Sequence, residues 1–334
     1  MNRAYAFAAA AMAEGAQLLY FSPGAVNTKT IHGFIYDRGG WVNTVSRWPD
    51  AVCNVVGFSR DSQDDIVSEL RKTVPFTHCA VGDKLTVFRN LQQTGAFSGY
   101  LIPSEKIVSV QHVFRLLETY PELVLKPSWG CQGTDVYYIA RENDTVKIFS
   151  GAETLARGAD AAAAFIADKT NQAEYLAQPY IRCRTKSGQS YDFRLHVQKD
   201  ARGQWVSSNI YPRISPDGGI VCNLSRGGYA CALTPFLQRE FGDDAHSVKK
   251  TLEIFSLQLA AHMDEIQAKL YGETLGELGI DVGLDPDRRL YIYEVNWRPG
   301  HPPSHSADLT VVRHSVGYAM YLANQNKRSM EICP

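Results

Sequence analysis

The chain has little of what marks the specialised protein classes. Its 334 residues include seven cysteines, Cys53, Cys79, Cys131, Cys183, Cys222, Cys231 and Cys333, an odd number without a CxxC pair. Such spacing supports neither a disulfide framework nor a zinc site, and reads as packed thiols in a reducing cytoplasm. Charge of one sign is also missing. Lys and Arg number 34 against 35 Asp and Glu, a formal net charge of −1, so the cationic footprint that nucleic-acid binding requires is absent. No apolar run is long enough to span a membrane. Arg3 followed by the Ala-rich run Ala4 to Ala13 is the one stretch resembling a targeting signal. Alanine is only weakly hydrophobic, and the run reads as a first helix ending near Gly15. No period signals repeats. Neither GxxxxGK(S/T) nor GxGxxG occurs, so neither a P-loop nor a dinucleotide fold is supported.

What is present is 45% hydrophobic content, enough for a large core and two or three subdomains. After the first helix, QLLYFSPG reads as a short strand and exit turn, IHGFIYDRGGWVNTV as a hairpin around Gly39 and Gly40, and DAVCNVV as a buried strand. Residues 1–78 thus form a small α/β domain. From about Lys84 to Tyr120 the pattern is helical, interrupted by GYLIP, where Pro103 and Ser104 favour a turn into the next helix. Beyond Glu122 come strands and Gly-containing turns, with one long amphipathic helix, roughly Asp243 to Leu270, before a final hairpin.

Four segments carry chemistry. In ELVLKPSWGCQGTDVYYIAR two apolar strands flank a loop with Gly130 and Gly133, and Lys126 closes the first strand. Open backbone amides beside a lysine suit a phosphate, although a hairpin with a lysine guarding its edge gives the same pattern. YDFRLHVQK alternates, placing Asp192, Arg194, His196 and Gln198 on one face. For His196 and Gln198 a half-exposed strand is sufficient explanation. The next segment adds Arg213 and an Asn223 to Gly228 loop holding Arg226, and arginines in such loops commonly meet phosphates or carboxylates. Finally, LGIDVGL and LYIYEVN flank the turn DPDRR and should pair as an antiparallel hairpin. Strict alternation puts Leu290, Ile292, Glu294 and Asn296 on one face and Tyr291, Tyr293 and Val295 on the other. Asp281 stands between Gly279 and Gly283, which leaves room beside it. A carboxylate in so apolar a run needs an Arg, a Lys or a metal ion. Asp281, Glu294 and Asn296 can converge as oxygen ligands of the kind magnesium takes alongside substrate phosphates.

These motifs occur in a telling order: Lys84, K-P-x-x-G-x-x-G from Lys126 to Gly133, AQPYI, DFR, NLSRGG and D…EVN. In this the chain resembles the ATP-grasp superfamily over nearly its whole length, and especially its YheC/YheD-like branch, associated with endospore coats. The resemblance implies an α/β (α+β) ATP-grasp fold. An α/β pre-ATP-grasp domain would span 1–78 and the ATP-grasp domain 79–334, with a lid subdomain about 84–181 and a C-terminal antiparallel-sheet subdomain about 182–334 that holds metal and substrate. ATP would be a co-substrate and magnesium, two ions with manganese as a substitute, the metal.

Carried over by position, Lys84 and Lys126 match the lysines on the nucleotide phosphates, and the lid loop Ser128 to Gly133, with Gly130 and Gln132, lies over them. Gln178, Tyr180 and Ile181 match the adenine-reading hinge, where many relatives have Glu in place of Gln178. Arg194 and Arg226 match arginines near the transferred phosphate and acyl substrate, and Asp281, Glu294 and Asn296 match the metal ligands. The implied activity is a cytoplasmic carboxylate–amine ligase acting through an acyl phosphate on small-molecule or peptide substrates, with no nucleic-acid or membrane partner. A non-catalytic nucleotide-binding or coat-assembly protein, and a kinase lacking the amine step, are the alternatives. WRPGHPPSH sets Trp297, Arg298, His301 and His305 near the site, where such histidines are more often ordinary surface residues.

Overall fold

The computed structural model describes residues 2–54, 65–128, 134–143, 145–151, 153–216, 219–224, 227–300 and 303–332. The Ala-rich start is helix α1 (Asn2–Ala13). Strands β1 (Thr30–Asp37) and β2 (Gly40–Arg47) form the expected hairpin, closed by Arg38 and Gly39 at φ 45° and 88°. Positive φ at both central residues is what a two-residue turn matching strand twist requires. Helix α2 (Asp65–Thr73) follows. Helix α3 (Lys84–Thr94) starts where the Asp83 side chain accepts from the Thr86 amide at 2.7 Å, and stops at Gly95. Then come β3 (Glu105–Lys106), α4 (Val110–Thr119), β4 (Glu122–Pro127), β5 (Tyr137–Glu142), β6 (Thr145–Ser150), β7 (Glu153–Arg157), α5 (Ala159–Gln172) and β8 (Tyr175–Pro179). The last part contains β9 (Tyr191–Lys199), β10 (Trp205–Ile214), β11 (Tyr229–Ala230), α6 (Leu233–Phe241), α7 (Ala245–Tyr271), β12 (Glu277–Leu284), β13 (Leu290–Asn296) and α8 (His305–Ile332).

Two antiparallel sheets dominate. One has the order β3-β8-β4-β5-β6-β7, the other β11-β10-β9-β12-β13. The first buries Leu123, Leu125, Ile139 and Ile148 with Val113 and Leu117 of α4 and Ile166 of α5. The second buries Leu195, Val197, Ile280 and Val282 against Leu252, Phe255, Leu259 and Met263 of α7. Its opposite face meets α8, through Gln198 Nε2 donating to the Val311 carbonyl at 3.1 Å and to Ser315 Oγ at 2.9 Å. Helix α1 packs on α8 through Phe7, Ala11, Val312 and Val316, whereas β1 and α2 share a small separate core of Ile31, Leu70 and Val74.

Several expectations need correction. Beyond Glu122 the sequence suggested one helix, yet α5, α6 and α8 stand there beside α7. The Ala-rich α5 lacks a clear apolar stripe, and α8 mixes polar with β-branched residues, so neither shows strong 3.6-residue periodicity. QLLYFSPG and DAVCNVV contribute isolated bridges, Tyr20 to Phe34 and Val52 to Phe76, in place of full strands; Val55 and Val56 lie outside the described residues. His196 and Gln198 are not half-exposed, because α8 lies over them and all nine residues of β9 are buried.

The most consequential correction concerns β13. Its register on β12 shifts between Asp281 and Val282, pairing Asp281 with Glu294 but Val282 with Ile292. Tyr293 is the extra residue of a bulge, which reverses the alternation. Leu290, Ile292 and Val295 therefore share the core face, and Glu294 and Asn296 turn to the other.

Close backbone approach fixes where the N-terminal segment meets this sheet. A Cβ on Gly276 would stand 2.3 Å from the Thr77 carbonyl oxygen, whereas one on Gly24 would meet nothing within 4 Å. Gly276→Ala should lower unfolding free energy by about 1–3 kcal/mol, while Gly24→Ala should stay within about 0.5 kcal/mol of the parent. Urea titrations of both variants provide the measurement, and equal stabilities would contradict the contact.

Candidate active site

Antiparallel pairing brings the site together. Arg194 on β9 lies opposite Asp281 on β12, and Asp281 opposite Glu294 on β13. Directly opposed residues project to the same side, so the three form a row, continued on β10 by Tyr211 opposite Arg194. In the adjoining rows Arg213 faces Asp192, and Gly279 separates His196 from Asn296.

Asp281 is 5% exposed and accepts from two guanidinium groups. Arg194 grips it through Nε to Oδ1 and Nη2 to Oδ2, the latter at 3.0 Å. Arg213 Nη2 reaches the same Oδ2 at 3.0 Å. Arg213 also holds Asp192 with two bonds of 2.7 Å, and Arg194 Nη1 donates to the Pro299 carbonyl at 2.8 Å. Two cations thus meet two anions. Burial pushes the Asp281 carboxyl up, but Arg194 and Arg213 together outweigh it and hold the group below the ordinary aspartate value. For Asp192 burial prevails over Arg213, and its carboxyl is raised.

Beside this cluster the other sheet and α3 deliver lysines. Lys84, the first residue of α3, places Nζ 3.5 Å from Glu294 Oε1. Lys126 enters from β4. Its pKa falls to about 7, chiefly through desolvation and then through repulsion by Lys84, with Glu294 opposing the fall. Three residues picked out in distant parts of the sequence are therefore electrostatic neighbours.

The remaining expected positions divide. The Ser128 hydroxyl donates to the Glu174 carbonyl at 3.2 Å and its amide to the same oxygen at 2.9 Å. The buried Gln178 amide donates to Ser104 Oγ. The Tyr180 amide is taken by the Glu122 carbonyl at 3.0 Å, and its hydroxyl lies 3.3 Å from Ser190 Oγ. Ile181 packs against the core of the second sheet. Gly130, Gln132, Gly133, Arg226 and His301 lie outside the described residues, as does the His305 side chain. Arg298 stacks on Trp297 with 4.1 Å between its guanidinium carbon and the ring centroid.

Nor is the space beside Asp281 free. A Cβ on Gly279 would come within 2.3 Å of Pro299 Cβ, and one on Gly283 within 2.2 Å of Tyr293 Oη. Both glycines admit the protein's own side chains.

The oxygen donors fit a hard cation in kind. Glu294 and Asn296 are partly exposed, and Asp281, though doubly bonded to arginines, keeps carboxylate lone-pair capacity on Oδ1. No group of three or more His, Cys, Asp and Glu is arranged for a metal among the described residues. A site with two carboxylates and an amide is open in the way magnesium sites completed by substrate phosphates are.

Two partnerships were not anticipated from the sequence. One is the attachment of Arg213 to Asp281. The other is a buried trio in which Glu277 bonds both His196 Nε2 and, at 3.2 Å, His78 Nε2. Charged residues inside otherwise apolar strands were the available signal in both cases.

A family model described as YheC/D like ATP-grasp matches residues 72–323. The endospore coat-associated protein YheD of Bacillus subtilis is 28% identical over 323 residues, covering 90% of this chain and 69% of that protein. Among solved structures, the D-alanyl-alanine synthetase A of Vibrio cholerae gives a TM-score of 0.54 at 13% identity, covering 94% of this chain and 84% of that one. A RimK domain ATP-grasp protein from Sphaerobacter thermophilus gives 0.53 at 13% identity, with 95% of each chain covered. At such identities the solved structures speak for the fold. No helix among the described residues is long and apolar enough to cross a membrane.

The Lys126 environment has a measurable signature. NMR of its side-chain nitrogen should show a midpoint near 7 in place of the usual 10.5. Lys84→Met should raise that midpoint by removing repulsion, and Glu294→Gln should lower it further. Because the unfolded chain binds this proton more tightly, the group makes stability rise with pH between about 7 and 10.5. A midpoint near 10.5 in the parent would overturn the arrangement.

Proposed function

The chain belongs to the YheC/D-like ATP-grasp family, and on that footing we propose that it is an ATP-dependent carboxylate–amine ligase. The observation that carries the reading is the meeting of Lys84 and Lys126 with Glu294, 3.5 Å from Lys84, next to the Arg194–Asp281 pair. Two lysines that share the single carboxylate of Glu294 suit a polyphosphate, and the adjoining oxygen donors suit its counter-ions.

Lys84 and Lys126 hold the nucleotide phosphates. Bound phosphate raises the Lys126 pKa from about 7, so the lysine takes up a proton and its charge is strengthened where it is used. The Ile181 amide, which has no assigned backbone acceptor among the described residues, is the hinge donor available to adenine. Glu294, Asn296 and Asp281 would hold magnesium, which neutralises phosphate charge and stabilises the transferring group. An acceptor carboxylate oxygen then bonds to the γ-phosphorus as the bond to ADP breaks. Arg194 would orient that carboxylate through the N–H groups left over from its bonds to Asp281 and Pro299, and phosphoryl transfer depends mainly on such positioning. An amine next attacks the acyl carbon, phosphate leaves, and the amine gives up a proton as the amide forms.

A screen of amino acids and short peptides for stimulated ADP release, with mass measurement of the product, tests the reaction. Amine-dependent ADP release with an amide product is expected. Release without amine dependence would indicate a kinase, and no release a binding protein. For the site, Glu294→Gln should keep its melting temperature and lose roughly a hundredfold in ADP release, on the order of 3 kcal/mol. Undiminished release at limiting magnesium would remove Glu294 from the metal set.

A further inference from the structure

The carboxylate row contains a restraint that the reaction as described does not use. Asp281 Oδ2 lies 3.0 Å from both Arg194 Nη2 and Arg213 Nη2, and a carboxylate oxygen has about two lone-pair directions. That oxygen is held between the two guanidinium groups. Only Oδ1 keeps capacity, and it already accepts from Arg194 Nε. The two arginines hold on differently. Arg194 is fixed to Asp281 by two nitrogens and to the Pro299 carbonyl by a third. Arg213 touches Asp281 with one nitrogen, while its two-bond grip is on Asp192, at 2.7 Å each. All four groups are at least nine-tenths buried, where a fixed positive charge strongly opposes a second cation on the same carboxylate.

We propose that Arg213, anchored by Asp192, is a positioning residue that restrains Asp281 and weakens its binding of a divalent cation. The inference rests on the reading of Asp281 as a metal ligand. Arg194 orients Asp281 within the row, and Arg213 sets how much of its charge is available. Because Arg213 is retained by Asp192 when it releases Asp281, the restraint can lift without exposing an unpaired guanidinium.

The test is manganese binding to the full chain with a non-hydrolysable ATP analogue, read by electron paramagnetic resonance of the free ion. Asp192→Asn combined with Arg213→Gln removes one charge of each sign, leaves Arg194 on Asp281, and should tighten manganese binding at least about tenfold. Affinity within about twofold of the parent, in a variant with a cooperative melting transition, would overturn the proposal. Should the double variant not fold, Arg213→Lys serves. A single ammonium cannot reproduce the fork that spans two carboxylates, so several-fold tighter manganese binding is expected, and an unchanged affinity would overturn the proposal equally. A chain that releases no ADP yet shows the gain would fault the ligase reading and keep this one.

Discussion

One carboxylate shared by two guanidinium groups, Asp281 between Arg194 and Arg213, is the interaction on which the second sheet is organised. A lone buried charge would be prohibitive, and removing one partner of such a pair is strongly destabilising. The cluster therefore demands a fixed register of β9, β10 and β12, because a slip of one residue would send each charge into the apolar core on the other face. It also demands the return of the chain after β13, where the Pro299 carbonyl accepts a hydrogen bond from Arg194. The same bonds that make the cluster tolerable thus align the strands and seat the loop that follows them.

Around this centre the lysine charges are arranged with less compensation. Lys84 is presented by the first turn of α3, whose N-cap Asp83 is tied to the Thr86 amide, and Lys126 by the end of a strand in the other sheet. Their proximity is unfavourable to both, which is part of why Lys126 is depressed to about 7. A polyanion relieves that repulsion. Glu294, 3.5 Å from Lys84, provides only partial relief, and the phosphates of the proposed function would supply the rest.

Packing of the polar face explains why it is not a surface. Helix α8 covers Gln198, which donates to its Ser315, and α1 in turn packs on α8. The trio of His78, Glu277 and His196 lies on the same face. Burial lowers the His78 pKa, while His196, first through its hydrogen bond, holds the Glu277 carboxyl below its ordinary value against the opposing effect of burial. The N-terminal segment is thereby tied to the sheet that bears the site.

The sequence by itself determined the chemistry available and much of the local structure. The β1–β2 hairpin followed from Gly39 and Gly40, the β12–β13 hairpin from DPDRR, the α3 start from the helical pattern beginning at about Lys84, and the ordered motifs pointed to the family that the match over residues 72–323 then established. Local rules reach this far because turns, caps and alternation depend on neighbours within a few residues. Tertiary structure decided the rest. The bulge at Tyr293 reversed the faces of β13, α8 buried what alternation alone left half-exposed, and Arg213 found Asp281, 68 residues on, by lying one strand beyond Arg194. Each of these outcomes depends on which distant segment supplies the opposing surface or charge, and that information is absent from any short window of the chain.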